Sequence, residues 1–232
     1  MIDHLKLRLK RIATLMFAGL MITACASSSP PKSMVAEQLI GTSTDAIARF
    51  RAHPDLKKFS HELSAAAAVV IMPTVIKAGF FAGAETGNGV LLKRSSDNSW
   101  SHPAYFTLAA ASFGLQFGIQ DTAIILVIRN EGALESILNH QGKLGADTGA
   151  TIGAEGLGLE ASTTSNLGTD IVAFASPNVG GYMGVSVEGA VLATRHDLNE
   201  AFYGEGAKPK AILDGQYSNP LADTLRSALA KE

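Results

Sequence analysis

Ala104-Tyr105-Phe106-Thr107-Leu108-Ala109-Ala110-Ala111-Ser112, followed after two residues by Leu115-Gln116-Phe117-Gly118-Ile119-Gln120-Asp121-Thr122-Ala123-Ile124-Ile125-Leu126-Val127-Ile128, is the stretch that decides the fold. Both pieces have strand length, and others flank them: Gly89 to Arg94, Thr148 to Leu159, Asp170 to Ala175 and Tyr182 to Leu192. Turn signals such as Ser95-Ser96-Asp97-Asn98 and Ser176-Pro177-Asn178 separate them. Ahead of these, Ala65 to Met72 is an apolar run of buried-strand length that Pro73 is expected to stop. Glycine recurs at short intervals, as in Gly145, Gly149, Gly153, Gly156 and Gly158. Glycine weakens a strand unless something approaches its backbone closely, so tightly packed layers are expected.

Helices bracket the strands. Val35, Leu39, Ile47, Phe50, Leu56, Phe59 and Leu63 recur at mostly helical intervals, and Pro54 divides them into two short amphipathic helices. Glu131 to Gln141 reads as a mid-chain helix capped by Asn130, with Leu134, Ile137 and Leu138 as its apolar stripe. Asn219-Pro220 opens a last helix through Leu221, Leu225, Ala228 and Leu229. The predicted fold class is α+β: an antiparallel β-sandwich or partly closed barrel with amphipathic helices at the N-terminus, one mid-chain helix and a C-terminal helix.

The first residues read as targeting. Lys6, Arg8, Lys10 and Arg11 precede the apolar run Ile12 to Ile22, which is too short for the ~20 residues of a stable bilayer span. Ile22-Thr23-Ala24-Cys25 then resembles the lipobox of bacterial lipoproteins, where a cysteine sulfur takes a lipid and the chain is cut before it. Cys25 is the only cysteine among 232 residues, so no internal disulfide can form and lipidation would remove a lone thiol from an oxidising compartment. Two acyl chains anchor stably where one is marginal. The expected division is a signal peptide over 1–24, a lipidated tether over 25–33 and one domain over 34–232. Ala26 rather than Asp after the cysteine, by resemblance to Gram-negative lipoproteins, implies the outer membrane, facing the periplasm.

Loss of residues 1–24 removes four of 19 Lys and Arg and one of 21 Asp and Glu, leaving 15 against 20 and a net charge near −5. Nucleic acid, which needs a basic footprint, is not an expected partner.

Signs of catalysis are sparse. Gly142-Lys143 is followed by Leu144, which is not a phosphate loop, and Gly184-Val185-Ser186-Val187-Glu188-Gly189 has the wrong spacing for a nucleophile elbow. His53 and His61 straddle Pro54, and His102, His140 and His196 stand alone, so no metal-ligand spacing emerges. Glu155 and Glu160, five apart, would fall on opposite faces of a regular strand. The expectation is no enzyme, no cofactor and no metal.

Four phrases in order resemble the SYLF family of lipid-binding domains found in bacterial lipoproteins and in eukaryotic membrane- and actin-associated proteins. They are Pro73-Thr74-Val75-Ile76-Lys77-Ala78-Gly79-Phe80-Phe81-Ala82-Gly83 with Gly87-Asn88-Gly89; Trp100-Ser101-His102-Pro103-Ala104-Tyr105-Phe106; Leu144-Gly145-Ala146-Asp147; and Gly181-Tyr182-Met183-Gly184 through Ala190, with Asn199 and Tyr203-Gly204. The resemblance implies phospholipid as ligand. Phe80 and Phe81, in a glycine-flanked segment, are the apolar contacts to test, with Lys77, Lys93 and Arg94 as phosphate contacts. Arg49, Arg51, Lys57 and Lys58 of the N-terminal helices are offset by Glu37, Asp45, Asp55 and Glu62. Ser176-Pro177-Asn178-Val179-Gly180 stands before the Gly-aromatic-x-Gly phrase, where related sequences commonly carry basic residues. The functional expectation is a non-enzymatic, membrane-anchored lipoprotein whose domain binds phospholipid in the cell envelope. The alternative is a structural or protein-interaction lipoprotein with no lipid site of its own.

Overall fold

Pro54 does break the N-terminal helical stretch: α1 covers Lys32–Ala52 and α2 covers Lys57–Ser64. The computed structural model describes residues 29–79, 82–113, 118–139, 144, 152–156, 169–179 and 189–231. Contacts divide the chain after Pro31, and every described element lies in the unit Lys32–Glu232. On α1 the buried positions Ala36, Ile40, Ser43, Ile47 and Phe50 fall three or four apart, which puts them on one face. Phe59 of α2 carries this face onward, with its ring 5.5 Å from that of Phe50 and 5.3 Å from that of Phe174 in edge contact.

Seven strands follow: β1 Ala68–Gly79, β2 Ala82–Lys93, β3 Ala104–Phe113, β4 Gly118–Ile128, β5 Ile152–Gly156, β6 Ile171–Val179 and β7 Val191–Thr194. They form one sheet in the order β5-β6-β4-β1-β2-β3-β7, antiparallel except for β5 against β6. The fold is α+β, a multi-stranded antiparallel sheet flanked by N- and C-terminal helices, and both faces of that single sheet are covered. Val69, Ile71, Val90, Leu92, Ile125, Val127 and Phe174 pack under α1 and α2, together with α4 (His196–Tyr203) and α6 (Asp223–Ala230). Val70, Met72, Leu91, Leu108, Ile124 and Leu126 pack under α3 (Glu131–Asn139) and α5 (Pro209–Leu213). Burial on both faces explains why Ala123 to Ile128 is continuously apolar rather than alternating.

Side chains fix the joints. Asn130 Oδ1 accepts from Ala133 N at 2.8 Å, the expected cap of α3. Asn219 Oδ1 accepts from Leu221 N at 3.1 Å and starts the short 3-10 turn Pro220–Ala222 ahead of α6. The fully buried Asn199 of α4 accepts from Tyr105 N at 2.9 Å and donates to the carbonyls of Tyr105 and Arg195, binding helix to strand.

Two sequence expectations are corrected: Ser176-Pro177-Asn178 is not a turn but lies within β6, paired to β4 as far as Val179, and the second concerns Pro73. Pro73 does not stop β1, which runs on to Gly79. The pairing shifts register between Ile71 and Ile76 on the β2 side and between Met72 and Val75 on the β4 side. A bulge of this kind needs no ladder donor from the proline. Its second effect falls on β2, where the raised β1 backbone presses on glycines. A Cβ at Gly89 would lie 2.1 Å from the Ile71 carbonyl oxygen, and one at Gly87 2.3 Å from that of Thr74. Gly145, Gly149 and Gly158 lie outside the described residues.

Beyond the bulge, Lys77 and Glu85 are direct cross-strand partners. Glu85 is 1% exposed, and Lys77 Nζ lies 2.8 Å from its Oε1.

Three tests follow from this geometry. Gly89→Ala should lower stability by about 1–3 kcal/mol in chemical denaturation, because the backbone above it must move. Gly41→Ala, on the exposed side of α1 with nothing within 4 Å, should instead raise stability by about 0.5–1 kcal/mol. Lys77→Met should cost about 3 kcal/mol by stranding a buried carboxylate, and adding Glu85→Leu should recover much of that loss. A double variant no more stable than Lys77→Met would show that the pair is not the source of the penalty.

Candidate functional site

The cations expected to meet phosphate do not converge. Lys77 is held by Glu85 near one end of the β1–β2 ladder. Lys93 pairs with Ala68 at the other end, roughly 25 Å away along the strands, and its Nζ is 3.7 Å from Glu131 Oε1. Arg94 faces the opposite side of the sheet. Its Nε donates to the Ala66 carbonyl at 2.9 Å, one terminal nitrogen donates to the Leu63 carbonyl at 2.8 Å, and its guanidinium lies 4.5 Å over the Trp100 ring. Phe80, Phe81 and Cys25 lie outside the described residues.

The β1 bulge opens a groove beside α1. Val35, Leu39 and Thr42 of the helix face Thr74, Ile76 and Asn88 of the sheet across a volume of about 310 Å³. Ile76 is 44% exposed there, a large aliphatic side chain uncovered next to half-buried Val35 and Leu39. Polar ties hold the rim. Arg195 bonds Asn88, and Thr107 Oγ1 donates to the Gly87 carbonyl at 3.0 Å. Further along α1, Arg49 donates to Asn178 Oδ1 at 2.6 Å, and the Asn178 amide donates to Asp121 Oδ1 at 2.8 Å and to the Pro73 carbonyl at 3.0 Å. Asn178, singled out in sequence for lacking charge, thus joins α1 to the bulge and to β4.

At the other end of α1 lies a second recess of about 580 Å³. Among the described residues, Arg51, His61, Arg94 and Lys231 line it together with Ser60, Ser64 and Asn98. Arg51 donates to the Leu229 carbonyl at 3.2 Å, near the end of α6. Sequence reading missed this grouping because it depends on α6 returning to the end of α1, a contact spanning 178 positions that no local spacing encodes. Among the described residues no group of three or more His, Cys, Asp or Glu could hold a metal, and no helix is long and apolar enough to cross a membrane.

A family model described as "Ysc84: Las17-binding protein actin regulator" matches residues 109–232, more than half of the chain. Protein YSC84 of Saccharomyces cerevisiae is 33% identical over 151 residues, 64% of this chain and 32% of its own length. An SH3 domain-containing protein of Schizosaccharomyces pombe is 31% identical over 162 residues, 69% of this chain and 37% of its own. The human SH3 domain-containing YSC84-like protein 1 is 28% identical over 168 residues, 72% of this chain and 48% of its own. The chain therefore spans less than half the length of each of these relatives, 32% to 48%.

These findings correct the expected affiliation. The relatives are proteins of yeasts and mammals, cells without a bacterial outer membrane or periplasm, and the family description is that of an actin regulator. The reading as an exported bacterial envelope lipoprotein, attached through a lipid anchor and serving as a phospholipid-binding envelope protein, gives way to it, as does the alternative of an envelope interaction lipoprotein. The family is non-catalytic, a regulator rather than an enzyme. The chain belongs to the Ysc84 family of Las17-binding protein actin regulators.

Proposed function

We propose that the body from residue 34 to residue 232 is a non-catalytic docking module of actin regulation, and that it meets a protein partner through the groove between α1 and the β1 bulge. The observation that carries this reading is Ile76, 44% exposed on a rigid sheet and flanked by Val35 and Leu39, in a chain whose yeast relatives include one named LAS seventeen-binding protein 3. An aliphatic anchor beside a shallow apolar groove and inside a polar rim is how a protein surface concentrates binding energy in a few residues. Rigid backing matters too. The bulge is pinned by Asn178 and by the close contacts over Gly87 and Gly89, so little ordering is needed on binding.

The test is co-sedimentation of the full chain with actin filaments, alongside capture by immobilised Las17. Ile76→Asp should reduce the bound fraction about tenfold while leaving the unfolding temperature near that of the parent, because the side chain is already half in water. Absence of the parent chain from both the filament pellet and the Las17 resin would refute the proposal. Undiminished binding by Ile76→Asp would move the docking surface away from the groove.

A further inference from the structure

Trp100-Ser101-His102-Pro103 leads into β3, and the segment that carries α6 is fastened to it. Arg226 of α6 donates from Nε to the Trp100 carbonyl at 2.9 Å, and the backbone N–H of Asn219 donates to His102 Nδ1 at 3.4 Å. The Asn219 side-chain amide donates to the Phe202 carbonyl of α4 at 2.8 Å. An imidazole has an acceptor at Nδ1 only while it is neutral, because both ring nitrogens of the protonated form are donors. Protonation of His102 would therefore set one N–H against another. The groups that face the ring add to the conflict. From α6 these are Arg226 and Asp223, which bond each other at 2.8 Å, and from α4 it is Tyr203, whose ring meets that of His102 edge-on at 6.5 Å. Tyr203 brings no charge, since burial raises its phenol above the ordinary tyrosine value and its hydroxyl donates to the Pro103 carbonyl at 2.8 Å. Burial first, and then Arg226, hold His102 below the ordinary histidine value against an opposing pull from Asp223.

We propose that His102 is a pH-sensitive latch: its protonation frees the segment from Asn219 to Ala230 from the loop ahead of β3 while the sheet stays folded. An eight-residue helix is not stable alone in water, so α6 persists through these ties and through its packing. Ala222, Leu225 and Leu229, each 2% exposed or less, pack in the same core cluster as Ile40, Ile47 and Phe50 of α1, and opening would bare them. The direction follows from which form the fold prefers. Because the fold disfavours the ionised ring, His102 contributes its full stabilisation above the unfolded value of about 6.5, and that contribution is lost as pH falls through this value and then through the lower folded one. The latch goes beyond the groove and does not depend on actin or Las17 binding.

The full chain is followed by amide hydrogen exchange and mass spectrometry from about pH 7.5 to about pH 5, with labelling times scaled to the intrinsic exchange rate at each pH. Amides of residues 219–230 should lose protection about fivefold toward the acid end, the worth of one hydrogen bond, while those of β1 and β4 keep theirs. The midpoint of that loss should coincide with the titration of the His102 ring resonances in an NMR spectrum of the parent chain. His102→Asn puts an amide oxygen where Nδ1 stands and takes up no proton in this range, so its segment should be equally protected at both ends of the range. His196→Asn, at an exposed histidine on α4, should respond as the parent does. Unchanged protection of 219–230 in the parent, an equal loss in β1 and β4, a midpoint apart from the His102 titration, or a full acid response in His102→Asn would each overturn the latch. The parent's midpoint decides the matter even where His102→Asn does not fold.

Discussion

A proline inside a strand that is hydrogen-bonded on both sides has no donor to give, and β1 is such a strand. The chain resolves this by shifting register against both neighbours around Pro73 while keeping the strand continuous to Gly79. Much of the rest depends on that shift. It lets Ile76 emerge beside α1, it lays carbonyls over Gly87 and Gly89, and it leaves the Pro73 carbonyl free to accept from Asn178. Two glycines on β2 are the counterpart of one proline on β1: a side chain at either would collide with the lifted backbone.

The alternation of strands and helices was legible because it rests on local chemistry. Apolar runs such as Ala123 to Ile128, the Asn130 cap and the Asn219-Pro220 start declare themselves within a few residues. The behaviour of Pro73 was not legible. As a rule proline ends a strand, and only the two register shifts, set by partners on either side, show that here it bends one instead. Helices α4 and α5 were also missed. Each has eight residues or fewer, and α4 is fixed by Asn199 bonding across to Tyr105, which is 94 positions away. Nor could spacing show that the mixed sheet is single, or that its edge pair β5–β6 is parallel.

Charge was the least readable property, for a physical reason. Lys77, Lys93 and Arg94 look alike in sequence, yet the first faces a buried carboxylate, the second an exposed one, and the third carbonyls and an indole. Their availability to a ligand is a matter of what lies opposite, and that is a tertiary fact. The affiliation behaved in the same way. A short segment before the domain suggested a bacterial envelope, whereas the similarity that runs through the folded body belongs to yeast and mammalian actin regulators. A four-residue motif carries far less information than 151 aligned residues, and it says nothing about the surface that the body presents.

Helix α1 lines both recesses, and its geometry keeps them apart. Leu39 lies in the groove and Arg51 in the basic recess, 12 residues along the same helix, which at about 1.5 Å per residue is roughly 18 Å. Such a separation exceeds contact range, so no side chain lines both recesses. It also exceeds the Debye length of about 8 Å at physiological salt, so charge in the basic recess is largely screened from the groove. Any coupling between them would have to pass through displacement of α1 itself. That helix is held at one end by Tyr105 Oη donating to the Ala36 carbonyl and at the other by the packing of Phe50 on Phe59, contacts that oppose sliding. The fold therefore keeps the groove and the basic recess at separate places along one firmly held helix.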